Sequence, residues 1–342
     1  MPLTIGVAQY PTQSSLPRTL QLLTNLTRKS AADGINLLVF PEAFLGGYPR
    51  TSYFGATVGG RTAEGRDEFY EYWKQAVDLG DVSPEGLGEY VGPGDGTRQK
   101  LEEIARETGV FLVVGCVEKS GGTLWCAVLF VDPVRGLVGK RRKVMPTGTE
   151  RVVWGVGSPK TLKAIDAVIG GEKVVLGAAI CWENYMPLLR TSLYSQGVTI
   201  YLAPTADARE SWVSTMQHIA LESRAFVVGC NQFVTTDSLP AYVPASTARG
   251  EMEMEDEDTP LEDVAVEGEV VSNGGSVIFD PLGRPLAGPL WGGTGVLKAT
   301  IESVEREVVR AKMDMDTAFG GHYSRSDVFK LSVEGLDLKR IR

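Results

Sequence analysis

Histidine is almost missing from this chain: only His218 and His322 occur among 342 residues. Zinc sites of the Cys/His kind and Cys–His nucleophile pairs both need a histidine held by a partner. His218 falls in a helical stretch, where packing or a pair with Glu222 is the natural use for it. His322 sits in a Gly-Gly-His-Tyr turn and reads as a packing or interface residue. Cysteine is sparse as well. The four present (Cys116, Cys126, Cys181, Cys230) form no Cys-x-x-Cys pair, and each lies in an apolar, strand-like setting. No basic, apolar, small-residue leader precedes the first strand, so a cytoplasmic protein with free thiols is expected. Long apolar runs are lacking too. None approaches the roughly 20 residues that cross a bilayer, and no membrane partner is expected. Positive charge is in deficit, 34 Lys and Arg against 43 Asp and Glu for a formal net charge of −9, which argues against nucleic acid as a partner.

With 43% apolar and 23% charged residues, the chain can bury a large core. Leu3–Gln9 alternates as a strand, Leu16–Ala32 has helical spacing, and Ile35–Phe40 is a second apolar strand running into Pro41-Glu42. Residues 51–96 form a long excursion with an expected helix over Arg66–Ala76. A helix (Arg98–Thr108), a strand (Phe111–Val117) and a hairpin (Thr123–Val131 into Gly136–Lys140) follow. Further strands are expected at Thr199–Ala203, Ala225–Cys230, Gly275–Asp280 and Gly295–Ile301, and helices at Glu210–Arg224 and Glu302–Lys312. The acidic stretch within 249–263 reads as a mobile surface insertion, residues 331–342 as a C-terminal tail beyond the domain of residues 1–330, and Phe319–Arg342 as a segment without a core of its own that packs on another subunit. Strands and helices alternate with no long linker, so a single α/β domain is expected.

The chain is organised around residues 174–190. Val174–Ile180 is a continuous apolar run that reads as a buried strand, and Cys181 stands where it stops. Asn184 is placed to cap a helix carrying Met186, Leu188, Leu189 and Leu193. A thiol beside a helix N-terminus is drawn toward thiolate, the nucleophilic form, although a free cysteine there also fits as a small buried apolar residue. Two further groups occupy comparable places: Glu42 after one strand, and Lys143 at the end of the basic run Lys140-Arg141-Arg142-Lys143. Some members of that run are expected to point inward. A carboxylate, an ammonium and a thiol form a nucleophilic site without histidine. The carboxylate takes the thiol proton and the ammonium holds charge on the attacked group.

These segments resemble the nitrilase branch of the carbon–nitrogen hydrolase superfamily. The likeness lies in Phe40-Pro41-Glu42-Ala43-Phe44-Leu45-Gly46-Gly47-Tyr48-Pro49, in Arg142-Lys143-Val144-Met145-Pro146-Thr147 with Glu150-Arg151, and in Cys181-Trp182-Glu183-Asn184. Ala203-Pro204-Thr205 and Gly321-His322-Tyr323-Ser324-Arg325 look like later family segments, so the likeness spans roughly residues 3–330. The resemblance implies a four-layer αββα sandwich that pairs across a homodimer or a larger spiral. It implies Cys181 as nucleophile, Glu42 as general base, Lys143 as stabiliser of the tetrahedral species and Glu150 as a second, structural or proton-handling glutamate. The Trp182 backbone N–H is expected to assist the developing nitrogen anion, and no metal or organic cofactor is implied. Tyr48, Thr147, Trp154 and Trp182 match pocket positions, and an aromatic cleft suits an aromatic or arylaliphatic nitrile. Trp154 fits ordinary core packing equally well. Hydrolysis would pass through a thioimidate and a thioester to acid and ammonia, or release an amide. Cyanide conversion, aliphatic amide or carbamoyl hydrolysis, and an inactive scaffold of the same fold are the alternatives. Two features depart from the pattern: Arg141 stands where many relatives carry histidine, and the acidic insertion has no counterpart.

Overall fold

The computed structural model describes residues 2–50, 52–207, 209–243, 267–316 and 328–338. The expected acidic insertion at 249–263, His322 with the surrounding segment 321–325, and residues 339–342 of the expected tail lie outside them.

The first half of the chain runs β1 (Leu3–Gln9), α1 (Leu16–Ala32), β2 (Leu37–Val39), a small hairpin β3 (Ala56–Thr57) and β4 (Gly60–Arg61), then α2 (Ala63–Lys74) and α3 (Thr97–Thr108). It ends with β5 (Phe111–Ser120), β6 (Thr123–Asp132) and β7 (Gly136–Arg142). The second half runs β8 (Ile165–Ile169), β9 (Glu172–Ala178), α4 (Pro187–Tyr194), β10 (Ile200–Pro204), α5 (Ser211–Ser223) and β11 (Phe226–Cys230). It closes with β12 (Phe233–Thr235), β13 (Val270–Phe279), β14 (Pro285–Trp291), β15 (Gly295–Ile301) and α6 (Val304–Asp316).

Two sheets result. One has the order β15-β1-β2-β5-β6-β7, and the other β12-β13-β11-β10-β9-β8 with β14 paired to β13. The period-2 alternation of the strands assigns each residue to a layer. Ile5, Val7, Leu37, Val39, Phe111 and Val113 of the first sheet share one core with Val174, Leu176, Ile200, Leu202, Phe226 and Val228 of the second. The alternate residues face outward. Ala8, Leu38, Leu112 and Val114 pack with Leu22, Leu23 and Leu26 of α1 and Leu101 and Ile104 of α3. Tyr201, Ala203 and Val227 pack with Leu189 and Leu193 of α4 and Trp212 and Met216 of α5. These three clusters define helix, sheet, sheet and helix layers, the αββα sandwich. The strand β15 closes the chain on itself by pairing antiparallel with β1, Leu3 opposite Ile301.

Strand direction positions the site. The strands β1, β2 and β5 are parallel, and two antiparallel steps through β6 return β7 to the same direction. The residues after β2 and β7 therefore emerge at one sheet edge. In the facing sheet β9, β10 and β11 are parallel to one another.

Several boundaries differ from expectation. The helix expected at Arg66 begins at Ala63, because the Thr62 hydroxyl accepts the Gly65 N–H at 3.0 Å and caps it. The paired part of the second strand shrinks to Leu37–Val39. Short edge strands at Ile165–Ile169, Phe233–Thr235 and Pro285–Trp291 were not anticipated: exposed residues dilute the apolar pattern of the first and last, and the second, though buried, is only three residues long. Among the described residues no helix is long and apolar enough to cross a membrane.

Gly115 on β5 lets the chain leaving β2 pass at contact distance: a Cβ there would lie 2.0 Å from the Pro41 carbonyl oxygen and 2.8 Å from Glu42 Cα. Both partners are backbone and cannot rotate away. Gly115→Ala is expected to cost about 1–3 kcal/mol through overpacking, read as a lowered denaturation midpoint. An unchanged midpoint would contradict this close approach.

Candidate active site

Glu42 lies in the turn after β2, and its carbonyl accepts the Gln232 side-chain amide at 3.1 Å. Lys143 is the residue just past β7, with its N–H on the Cys126 carbonyl at 2.7 Å. Both side chains are fully buried. The Lys143 Nζ donates to Glu42 Oε1 at 2.7 Å and to Glu150 Oε1 and Oε2 at 2.9 and 2.8 Å. The Tyr48 hydroxyl donates to Glu150 Oε1 at 2.6 Å, and the Thr147 N–H to Glu150 Oε2 at 2.7 Å. Burial opposes the charge on Lys143, but the Glu42 and Glu150 carboxylates outweigh it and hold the amine well above its usual range, as an ammonium. Burial is also the main influence on Glu42 and raises its pKa; the Glu150 charge adds to this, and Lys143 offsets only part of it.

Cys181 follows β9 from the opposite sheet. The expected helix capped by Asn184 does not begin there. Residues Cys181–Tyr185 form a 3-10 turn, and α4 starts at Pro187, whose ring fits the first helical turn. Asn184 is buried, and its amide donates to the carbonyls of Ala179 at 2.9 Å and Cys181 at 2.7 Å, while its oxygen accepts the Tyr201 hydroxyl at 2.8 Å. It ties the elbow together instead of capping a helix. Cys181 itself has φ 51, in the left-handed region that a residue with a Cβ rarely occupies.

The expected pull toward thiolate is also overturned. Burial and the Glu42 charge raise the thiol pKa, more than Lys143, the Thr205 hydroxyl and the Ala206 N–H lower it. Cys181 is therefore a neutral thiol beside a carboxylate, and deprotonation needs a proton acceptor. The thiol approaches Glu42 closely enough to lower the carboxyl's pKa, yet Glu42 Oε2 is buried without a hydrogen bond of normal geometry. Of the other thiols, Cys126 donates to Glu42 Oε1 at 3.5 Å, and Cys230 sits between backbone carbonyls of the inner core.

Glu183 joins the two halves of the site. Its Oε1 accepts the Val144 N–H at 2.6 Å, next to Lys143, and its Oε2 accepts the Ile180 N–H at 2.7 Å, next to Cys181. Arg141 fills the remaining gap, with one guanidinium nitrogen on Glu183 Oε1 at 2.5 Å and another on the Ala178 carbonyl at 2.6 Å. The departure noted at Arg141 is thus a clamp between the ends of β7 and β9. All four basic side chains of the run are buried, on alternate faces of the strand end. Lys140 pairs with Asp81 and Glu118, and Arg142 with Glu118 at 2.9 Å.

The remaining expected pocket residues are unequally placed. Tyr48 and Trp154 meet edge to face at 5.5 Å, and Thr147 packs its hydroxyl 3.5 Å from Glu150. Trp154 is buried in the inner core, which accommodates both of its expected uses. The Trp182 indole is 41% exposed, donates to Asp207 at 2.8 Å and lies under the Arg209 guanidinium at 4.8 Å. Glu183, Arg141, Thr205, Gln232 and Cys126 were not picked out beforehand as parts of the site. Three of them had a usable signal: Glu183 its place inside the Cys-Trp-Glu-Asn run, Thr205 its place in the Ala-Pro-Thr segment, and Arg141 its departure from the family pattern. His218 Nε2 lies 4.0 Å from Glu222 on an exposed helix face, as its spacing suggested. Among the described residues no group of three or more His, Cys, Asp or Glu could hold a metal ion.

The carbon–nitrogen hydrolase family profile matches residues 4–311. A nitrilase of Bradyrhizobium diazoefficiens (blr3397) is 44% identical, covering 96% of this chain and 90% of that protein. An arylacetonitrilase of Trametes versicolor is 45% identical, covering 93% and 92%. Among solved structures, an amidase from Nesterenkonia sp. superposes with a TM-score of 0.59 at 18% identity, covering 89% of this chain and 92% of that one, a likeness of fold. A match over nearly the whole chain, with relatives above two-fifths identity, settles the kinship: the chain belongs to the carbon–nitrogen hydrolase family.

Proposed function

We propose that this protein is a nitrilase, hydrolysing an organic nitrile to its carboxylic acid and ammonia at Cys181. The observation that carries the reading is the buried Lys143 ammonium, 2.7 Å from a Glu42 carboxylate that also faces the Cys181 thiol. Relatives named as nitrilases support the nitrile over other carbon–nitrogen substrates. The aromatic pair Tyr48 and Trp154 favours an aromatic or arylaliphatic side chain on that nitrile.

The thiol proton passes to Glu42 as sulfur attacks the nitrile carbon, and the displaced π pair on nitrogen takes the proton back, giving a thioimidate. Lys143 stabilises the negative charge that builds during attack. Water then adds, with Glu42 accepting its proton and returning it to nitrogen, which gives a tetrahedral carbon bearing OH and NH2. The hydroxyl proton then passes through Glu42 to the same nitrogen, the C–N bond breaks, and ammonia leaves a thioester. A second water, activated in the same way, releases the acid and restores the thiol. The sum is one nitrile and two waters giving one acid and one ammonia. Expulsion of sulfur from the first tetrahedral species would release the amide instead. Glu150 holds the lysine proton in place, and Tyr48 and the Thr147 N–H orient Glu150.

Cys181→Ala is expected to abolish ammonia release from phenylacetonitrile, by about a thousandfold or more, with an unchanged circular dichroism spectrum. Glu42→Gln should do nearly the same. Turnover close to wild type in either variant removes that residue from the mechanism. Lys143→Ala should also lose activity, but it strands two buried carboxylates and should cost about 3–5 kcal/mol of stability, visible in urea denaturation.

The pH profile tests the base. Glu42 must be ionised to accept the thiol proton, and its pKa is raised above the ordinary 4.5. The acid limb of kcat/KM should therefore fall at a higher pH than an exposed glutamate would give. For stability the sign is the reverse of a salt-bridged carboxylate: Glu42 favours folding at low pH, and that contribution is lost as pH rises through its folded pKa. An acid limb at or below 4.5 would exclude Glu42 as the base.

The proposal extends to self-association. Trp182, Tyr185, Leu188 and Leu221 are exposed by 41, 41, 69 and 41% on or beside the outer helices α4 and α5. A homodimer or larger assembly covering them should scatter light at a multiple of 36.9 kDa. A monomer mass at micromolar concentration would rule it out.

A further inference from the structure

The two oxygens of the Glu42 carboxyl group are placed unlike one another. Oε1 accepts the Lys143 ammonium at 2.7 Å and the Cys126 thiol at 3.5 Å. Oε2 is buried without a hydrogen bond of normal geometry, while the Cys181 thiol comes close enough to act on the carboxyl group. A buried polar atom left without a partner is costly, and in a native structure it calls for a reason. Here the reason is the reaction. The open oxygen is the one free to receive a proton.

Cys126 touches both members of the Lys143–Glu42 pair. It lies on β6 opposite Val117 of β5, and its carbonyl accepts the Lys143 N–H at 2.7 Å while its thiol donates to Glu42. One residue thus anchors the backbone from which the ammonium projects and also the carboxylate that meets it. Two donors on Oε1, one from β6 and one from beyond β7, fix the plane of the carboxyl group and so the direction in which Oε2 faces. The Cys126 side chain is 1% exposed and belongs to the core between the sheets. Burial, and then the Glu42 charge, hold this thiol well above the usual range. It therefore stays S–H, a donor to the base and no rival to Cys181 as nucleophile. The remaining titratable groups that act on Glu42 are Glu150 after β7, Cys181 after β9, and Tyr48 and Arg50 of its own loop.

We infer that Cys126 is a positioning residue for the base: with Lys143 it occupies Glu42 Oε1, so that Oε2 is the atom that takes the Cys181 proton. In that step the S–H bond breaks, an Oε2–H bond forms, and the sulfur pair goes to the nitrile carbon as a π pair moves to nitrogen. The inference rests on the nitrilase reading above, in which Glu42 is the proton acceptor. A hydrogen bond to the ionised carboxylate favours that form, so its removal raises the Glu42 pKa.

The test compares wild type with Cys126→Ala, Cys126→Val and Cys126→Ser on phenylacetonitrile. Alanine removes the donor and leaves a gap, valine fills the space without a donor, and serine keeps a donor. In Cys126→Ala and Cys126→Val, kcat should fall about tenfold with KM nearly unchanged, because the base is misdirected and substrate binding is not. The acid limb of kcat/KM should move up by about half a pH unit or more in both. Cys126→Ser should recover most of the rate and return the limb toward wild type. A lowered kcat with the acid limb in place, wild-type behaviour of Cys126→Val, or a serine variant no better than alanine overturns the inference. A second measurement needs no turnover: the infrared carbonyl stretch of protonated Glu42, assigned by its loss in Glu42→Gln and titrated against pH. Its midpoint should rise in Cys126→Ala and Cys126→Val and return in Cys126→Ser, and equal midpoints in all four proteins overturn the inference. Should phenylacetonitrile and other nitriles not be hydrolysed, the nitrilase reading fails, and the infrared titration still decides whether Cys126 holds Glu42.

Discussion

An ammonium with no water around it is held between two carboxylates, and most of the structure serves to keep it there. Lys143, Glu42 and Glu150 are each removed from solvent, and a buried charge without its counter-charge costs several kcal/mol. The cluster therefore stands or falls as a unit. Burial pushes the Cys181 thiol and the Glu42 carboxyl toward their protonated forms, whereas Lys143 holds its proton. The resting site thus contains one weak acid and one strengthened base side by side, the arrangement a proton-coupled nucleophilic attack requires.

The sandwich exists to bring that cluster and the thiol together from different sheets. Glu42 and Lys143 leave the first sheet at the same edge, because β2 and β7 run in one direction. Cys181 leaves the second sheet. Glu183 then fixes the separation, with one carboxylate spanning the amides beside Lys143 and beside Cys181. The left-handed backbone at Cys181 and at Ala43 belongs to the same constraint. Each costs of the order of 1–3 kcal/mol, and the surrounding hydrogen bonds hold it in place.

Much of this was legible in the sequence, for definite reasons. Buried strands are continuous apolar runs, so β1, β5, β6, β9 and β11 could be read, and the residues at their ends could be flagged. The chemistry of a thiol, a carboxylate and an ammonium without histidine narrowed the site to Glu42, Lys143 and Cys181. What stayed hidden was local. Asn184 has the right residue type to cap a helix, but Pro187 and a buried tyrosine partner moved the helix start and gave the side chain another task. The thiol pKa depends on burial, which a helix-dipole argument from sequence omits. Arg141 and Glu183 are ordinary charged residues in sequence, and only the meeting of β7 with β9 gives them a shared role. Edge strands such as β8 were missed because one face is wet.

The basic run at the end of β7 has a consequence for how the chain aligns during folding. Arg141 and Lys143 turn toward the space between the sheets, while Lys140 and Arg142 turn to the other side, where Glu118 and Asp81 wait. A slip of one residue along β6 would exchange the two sets and bring cations with unlike reach and shape to the wrong anions. The four cations thus act as a vernier scale for the strand, readable only at the native alignment, and a single-residue insertion between Gly136 and Lys143 would misalign the whole cluster.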